Sequence, residues 1–157
     1  MLNASWITNR LMVGSAPTHS YDQKDLRAAG ITNVIDVRAT TEEKVIGACD
    51  YEEEGLAYES FPLVEFPDDA NVSNLTLASS RVLEILATNV SGKVYIHCEA
   101  GIIRSPLLVL AVLCRFGHSL AWSLERLKKL RPNVYFTADL IDDLLLALGP
   151  DEGRILM

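Results

Sequence analysis

Val94-Tyr-Ile-His-Cys-Glu-Ala-Gly-Ile-Ile-Arg-Ser105 sets a cysteine just past a short apolar run and an arginine six positions after it. Lys93 to Ile96 reads as a strand, residues 97–104 as a loop, and Ser105 onward as a helix. The body of that helix, Leu107 to Leu113, is apolar all round, as expected of a helix buried at the centre of a domain. A loop leading into a helix N-terminus presents backbone N–H groups and the positive end of the helix dipole, which suits a phosphate dianion. The same donors favour the thiolate form of Cys98 as a nucleophile. Arg104 grips two phosphate oxygens through its planar fork, a geometry lysine does not offer. Gly101 permits a sharp turn close to the anion, and Ser105 is placed to donate a hydrogen bond to the departing sulfur. His97 fixes the loop and biases the thiolate.

The rest of the sequence agrees with a local concentration of positive potential. With 157 residues, 49% of them hydrophobic, the chain has the size and apolar content of one domain, taken as 1–148 with a loose tail over 149–157. A formal charge of −7 argues against a surface that tracks nucleic acid or anionic lipid. Cys49, Cys98 and Cys114 show no spacing of a zinc site or disulfide framework, so a reducing, cytoplasmic compartment is expected. Pro106 to Cys114, the most apolar run, is too short to span a bilayer. Cys114 reads as packing, and for Cys49 the functional reading is a disulfide with Cys98.

Outward from the loop, strands alternate with helices and then give way to helices alone. Trp6 to Val13 reads as a strand or hairpin broken by Gly14. Ser20 to Gln23 has capping-box form, with Gly30 as the helix stop. Ile31 to Val37 and Leu56 to Leu63 read as strands. The apolar spacing from Leu75 to Leu86 predicts a helix capped by Asn71 or Ser73. Helices over Ser119 to Leu130 and Thr137 to Leu148 follow. The pattern describes an α/β fold with a helical C-terminal third. Arg38 is expected to pair with Glu42 or Glu43, and Trp122 to be partly buried.

His97-Cys98-x5-Arg104-Ser105 resembles the signature of the protein tyrosine phosphatase superfamily, in particular its compact dual-specificity branch. Ile31 to Arg38, Ser105 to Ala111, and Gly117 to Pro132 resemble neighbouring segments of that branch, so the similarity spans roughly residues 5 to 148. It implies a central, mostly parallel twisted sheet flanked by helices. It also implies a phosphomonoester hydrolase that works through a phosphocysteine, with Glu99, Ala100, Gly101, Ile102, Ile103 and Arg104 binding the phosphate. No metal or cofactor is required by that chemistry. The substrate implied is a phosphorylated protein, phosphotyrosine first and then phosphoserine or phosphothreonine, with a monomer as the default state and no nucleic acid or membrane partner. Phosphoinositides, nucleotide or RNA 5′ phosphates, or phosphate binding with little turnover, are the alternatives. The resemblance also calls for a carboxylic acid about thirty residues before the cysteine. Asp68, 30 positions upstream in Phe66-Pro-Asp68, ranks first, followed by Asp69 and Glu65.

Overall fold

Residues 2–150 are described by a computed structural model; positions 151–157 of the expected tail lie outside the described residues. The elements in order are β1 (Ala4–Thr8), β2 (Leu11–Gly14), α1 (Ser20–Ala28), β3 (Asn33–Asp36), α2 (Ala48–Glu53), β4 (Ala57–Ser60), α3 (Asp69–Thr88), β5 (Val94–His97), α4 (Arg104–Phe116), α5 (Leu120–Leu130) and α6 (Ala138–Leu148). The strands form one sheet in the order β1-β2-β5-β3-β4, antiparallel at β1–β2 and parallel elsewhere. The expected α/β fold with a mostly parallel sheet and helical C-terminal third is present.

Alternation along the strands sorts the core into two faces. Val13, Ile35, Val94 and Ile96 join a cluster with α3, α4 and α6, while Met12, Val34 and Tyr95 face α1 and α2 with Leu26 and Tyr51. α4 lies against β2 and β5 and is covered by α3, α5 and α6. Every residue from Arg104 to Cys114 is consequently buried, which is why its sequence shows no polar face.

This arrangement fixes the position of the loop. β5 sits at the centre of the sheet, with His97 opposite both Gly14 and Asp36. Cys98 therefore leaves the middle of the carboxyl edge, where parallel α/β sheets place their ligands. Pro106 falls in the first turn of α4, where a missing N–H leaves no helical bond unmade.

Several local expectations are corrected. α1 is capped one residue earlier than the Ser20-to-Gln23 reading: Asp22 Oδ2 accepts from the amides of Thr18 and His19. Gln23 instead donates to the Asp50 carbonyl. α3 begins at Asp69 with Asp68 as its cap, well before Leu75, because its opening turn buries no apolar residue. Asn71 is thereby inside the helix rather than its cap. Arg38 pairs with Asp36, with Nη2 to Oδ2 at 2.7 Å in a buried position, and not with Glu42 or Glu43. Trp122 is 40% exposed and stacks on His118 at 3.9 Å.

Candidate active site

The loop from Cys98 to Arg104 is held from outside by its carbonyls. Ala16 N donates to the Glu99 carbonyl at 2.9 Å, and Tyr135 N to that of Ile102 at 2.9 Å. Between them, Arg131 Nε donates to the Gly101 carbonyl at 2.7 Å and Nη2 to that of Ala100 at 3.4 Å. In a trans peptide the C=O of one residue and the N–H of the next point opposite ways. Four successive outward carbonyls therefore turn the N–H groups of Ala100, Gly101, Ile102 and Ile103 inward. The Gly101 amide shows this directly, donating to Cys98 Sγ at 3.2 Å. Ser105 Oγ lies 3.2 Å from the same sulfur. Cys98 is 2% exposed and Ser105 is fully covered, whereas Glu99 and Ala100 stand exposed at the rim. Gly101 has φ +72, and a Cβ there would come within 2.5 Å of the Gly14 backbone. Glycine is needed both for that φ and for that approach.

Arg104 is 6% exposed, and its guanidinium is only partly engaged. Nη1 and Nη2 both donate to Glu42, the second at 3.1 Å, and Nη1 also reaches the Leu63 carbonyl at 3.4 Å. Nε is buried without a hydrogen-bond partner. Glu65 Oε2 is 3.4 Å from that nitrogen, inside ion-pair range but without hydrogen-bond geometry. Burial alone would lower the Arg104 pKa, but Glu42 and Cys98 raise it overall, so the side chain remains charged.

The three candidate acids are placed differently. Glu65 reaches Arg104. Asp68 Oδ1 accepts from Ala70 N at 2.8 Å as the cap of α3, and Asp69 lies in the first turn of that helix. Asn71, 1% exposed, donates to the carbonyls of Val64 and Phe66 and accepts from Val64 N, so it pins the backbone on both sides of Glu65.

Behind the loop, His97 is fully buried. Its Nδ1 is 3.0 Å from the Cys98 carbonyl and its Nε2 is 2.9 Å from the Tyr51 hydroxyl. A carbonyl only accepts, so Nδ1–H donates to it and Nε2 accepts from Tyr51. Burial depresses the imidazole to about 4, outweighing the opposing pull of Asp36 at 3.9 Å. His97 is thus neutral at pH 7 and links the Cys98 carbonyl to the Tyr51 hydroxyl without carrying a positive charge. Burial alone would raise the Asp36 carboxyl, yet Arg38, His97 and Tyr58 hold it below the usual carboxylate range. Cys49 is exposed and Cys98 buried, and the two form no disulfide with one another.

Glu42, Tyr51, Asn71 and Arg131 were not singled out from sequence as parts of this site. Each reaches it from a separate segment, and no local spacing signals that convergence.

The geometry can be set beside known proteins. The family model for the dual specificity phosphatase catalytic domain matches residues 11–147. Human dual specificity protein phosphatase 2 is 30% identical over 139 residues, which cover 83% of this chain and 40% of that protein. The chain thus spans about 40% of the length of the curated relatives it matches. Among solved structures, PTPMT1 in complex with PI(5)P superposes with a TM-score of 0.77 at 19% identity, covering 90% of this chain and 91% of that one. Tk-PTP in its active form gives 0.76 at 22% identity, covering 90% and 93%. At such identities these two structures speak to the fold alone. The family model nevertheless runs from β2 nearly to the end of α6 and takes in the whole loop, so the chain belongs to the dual specificity phosphatase catalytic-domain family.

Proposed function

We propose that this chain hydrolyses phosphate monoesters through a phosphocysteine, with phosphotyrosine in protein as the substrate class. The observation that carries the reading is the belt of four outward carbonyls, residues 99–102, which turns the facing amides inward, that of Gly101 onto Cys98 Sγ. Nε of Arg104, buried and without a hydrogen-bond partner although Glu65 Oε2 stands 3.4 Å away, adds a donor that a ligand entering the loop would satisfy.

The reaction follows from these parts. The Cys98 thiolate attacks phosphorus, an S–P bond forms and the P–O ester bond breaks. The inward amides and Arg104 hold the equatorial oxygens, whose charge spreads in the transition state. The leaving oxygen takes a proton from a carboxylic acid, and Glu65 is the acid this reading assigns. It stands against Arg104 on a segment anchored by Asn71, while the Asp68 carboxylate is engaged in capping α3. The resulting Glu65 carboxylate then takes a proton from water. That water attacks phosphorus, the S–P bond breaks, and Ser105 donates a hydrogen bond to the departing sulfur as inorganic phosphate leaves.

The curated relative's printed name, a dual specificity protein phosphatase, favours a protein substrate, while the complex of PTPMT1 with PI(5)P keeps a phosphoinositide as the second reading. Hydrolysis of an aryl phosphate by the purified protein is the primary test. Turnover should be abolished in Cys98→Ser with the circular dichroism spectrum and melting temperature preserved. Equal turnover in that variant would refute the nucleophile.

A further inference from the structure

We infer that Asp143 is a positioning residue: from α6 it holds the segment between β4 and α3 so that Glu65 stays against Arg104. This rests on the proposed phosphatase reading, in which Glu65 is the acid, and adds a residue of the last helix to its working parts.

Asp143 stands where an apolar side chain is expected. Leu140, Leu144 and Leu148 form the buried stripe of α6, and Asp143, three positions after the first and next to the second, shares that face. It is 7% exposed, and among the described residues no lysine, arginine or histidine comes within ion-pair range of it. A buried carboxylate is costly unless its oxygens are hydrogen-bonded. Oδ2 accepts from the Asp68 amide at 3.1 Å and from Asn71 Nδ2 at 3.2 Å. Both donors lie at the N-terminus of α3, where the helix dipole favours a negative charge.

These two bonds fix the end of the segment that carries Glu65. Its start is held at the sheet, where the amides of Phe61 and Leu63 donate to the carbonyls of Asp36 and Val37, and Asn74 Nδ2 donates to that of Pro62 at 2.8 Å. Its middle is clasped by Asn71, whose Nδ2 reaches the carbonyls of Val64 and Phe66. An oxygen on α6 requires the NH2 of Asn71 on its own side, and so turns Oδ1 to the Val64 amide. The Glu65 side chain is 53% exposed, so its place depends on the backbone beneath it more than on packing around it. α6 packs on α3 and also on α4, the helix that starts at Arg104. The hold of Asp143 therefore refers the acid segment to the same framework as the arginine, and misplacing a catalytic group costs rate steeply.

The test compares wild type with Asp143→Ala, Asp143→Leu and Asp143→Asn, each alone and combined with Glu65→Gln. It reads kcat/KM on aryl phosphates with good and with poor leaving groups, and inhibition by orthovanadate. Alanine and leucine remove the acceptor, one with less bulk and one with more, whereas asparagine keeps one oxygen to face both donors. We expect kcat/KM on poor leaving groups to fall by about tenfold in Asp143→Ala and Asp143→Leu, with good leaving groups and vanadate inhibition spared. Asp143→Asn should recover most of that loss. In the Glu65→Gln background the same substitutions should cost nothing further, because they act through the acid. An equal loss with and without Glu65, or a loss that ignores the leaving group, would reduce Asp143 to a structural part of the α3–α6 contact and overturn the inference. Failure of both acceptor-less variants to fold would do the same. Undiminished hydrolysis of poor leaving groups in a folded Asp143→Ala would overturn it from the other side. A wild-type protein that neither turns over the esters nor binds vanadate would instead remove the phosphatase reading itself.

Discussion

His97 resists protonation in the fold, and a pH dependence of stability follows. In the unfolded chain its imidazole takes up a proton near 6.5; in the native state it does so only at about 4. Between those values the unfolded state binds more protons, so stability falls as pH drops through the window. The difference corresponds to about 3 kcal/mol that is present at neutral pH and lost by about pH 4. The carboxylates also titrate near the lower end, so the informative quantity is a difference between proteins. Urea unfolding of wild type and His97→Gln at pH 7 and pH 4.5 should give a gap that narrows in acid. A gap that stays constant would mean that the imidazole titrates in the fold as it does in water. Cys98, Arg104 and Ser105 were legible because strand, loop and helix dictate their spacing within one short segment. The neutrality of His97 was not, since it depends on burial, and its tautomer on Tyr51, 46 positions away in sequence.

Elements decide which carboxylate the proposed reaction takes as its acid. Counting back thirty positions singles out Asp68, but distance along the chain does not register where a helix begins. α3 opens with Asp69, Ala70 and Asn71, and so starts before its first buried apolar residue, Leu75. The reading from apolar periodicity found the amphipathic body and missed this turn, and the capping-box reading placed the cap of α1 one residue late. Once α3 starts at Asp69, Asp68 is its N-cap, and Asn71 faces back to clasp Val64 and Phe66. The segment between them lifts Glu65 to Arg104. The consequence is a double dissociation. Glu65→Gln should slow hydrolysis of esters with poor leaving groups by about 100-fold or more while sparing esters with good ones. Asp68→Ala should lower unfolding free energy by about 1 kcal/mol and leave that leaving-group dependence intact. The reverse pattern would return the role of acid to Asp68.

At the scale of the whole molecule, charge and topology divide the work. The chain carries a formal charge of −7, and the loop from Cys98 to Ser105 contains no lysine. The anion site proposed for it draws instead on backbone amides, the N-terminus of α4 and a single guanidinium, all gathered at the carboxyl edge of β5 by the strand order. Arg131, the other arginine at the loop, has its donors on carbonyls and on Asn3 and Ser5. Its distance from the signature in sequence is why only the three-dimensional arrangement reveals it. Around the single phosphate position stand Glu42 and Glu65, with Glu99 exposed on the rim. On the proposed reading one phosphate is accommodated, whereas a second phosphate on the same ligand meets the carboxylates of Glu42, Glu65 and Glu99, with Lys44 beside Glu42 already donating to two carbonyls. Like-charge contacts cost several kcal/mol when desolvated, and even a screened remnant of about 1.4 kcal/mol is a tenfold preference. A phosphotyrosine peptide should accordingly exceed a soluble inositol bisphosphate headgroup by at least about tenfold in kcat/KM at low salt, with the ratio shrinking as ionic strength rises. Equal efficiency on the bisphosphate at low salt would mean that the acidic rim does not select against charge, and the assignment to protein phosphotyrosine would lose its electrostatic basis.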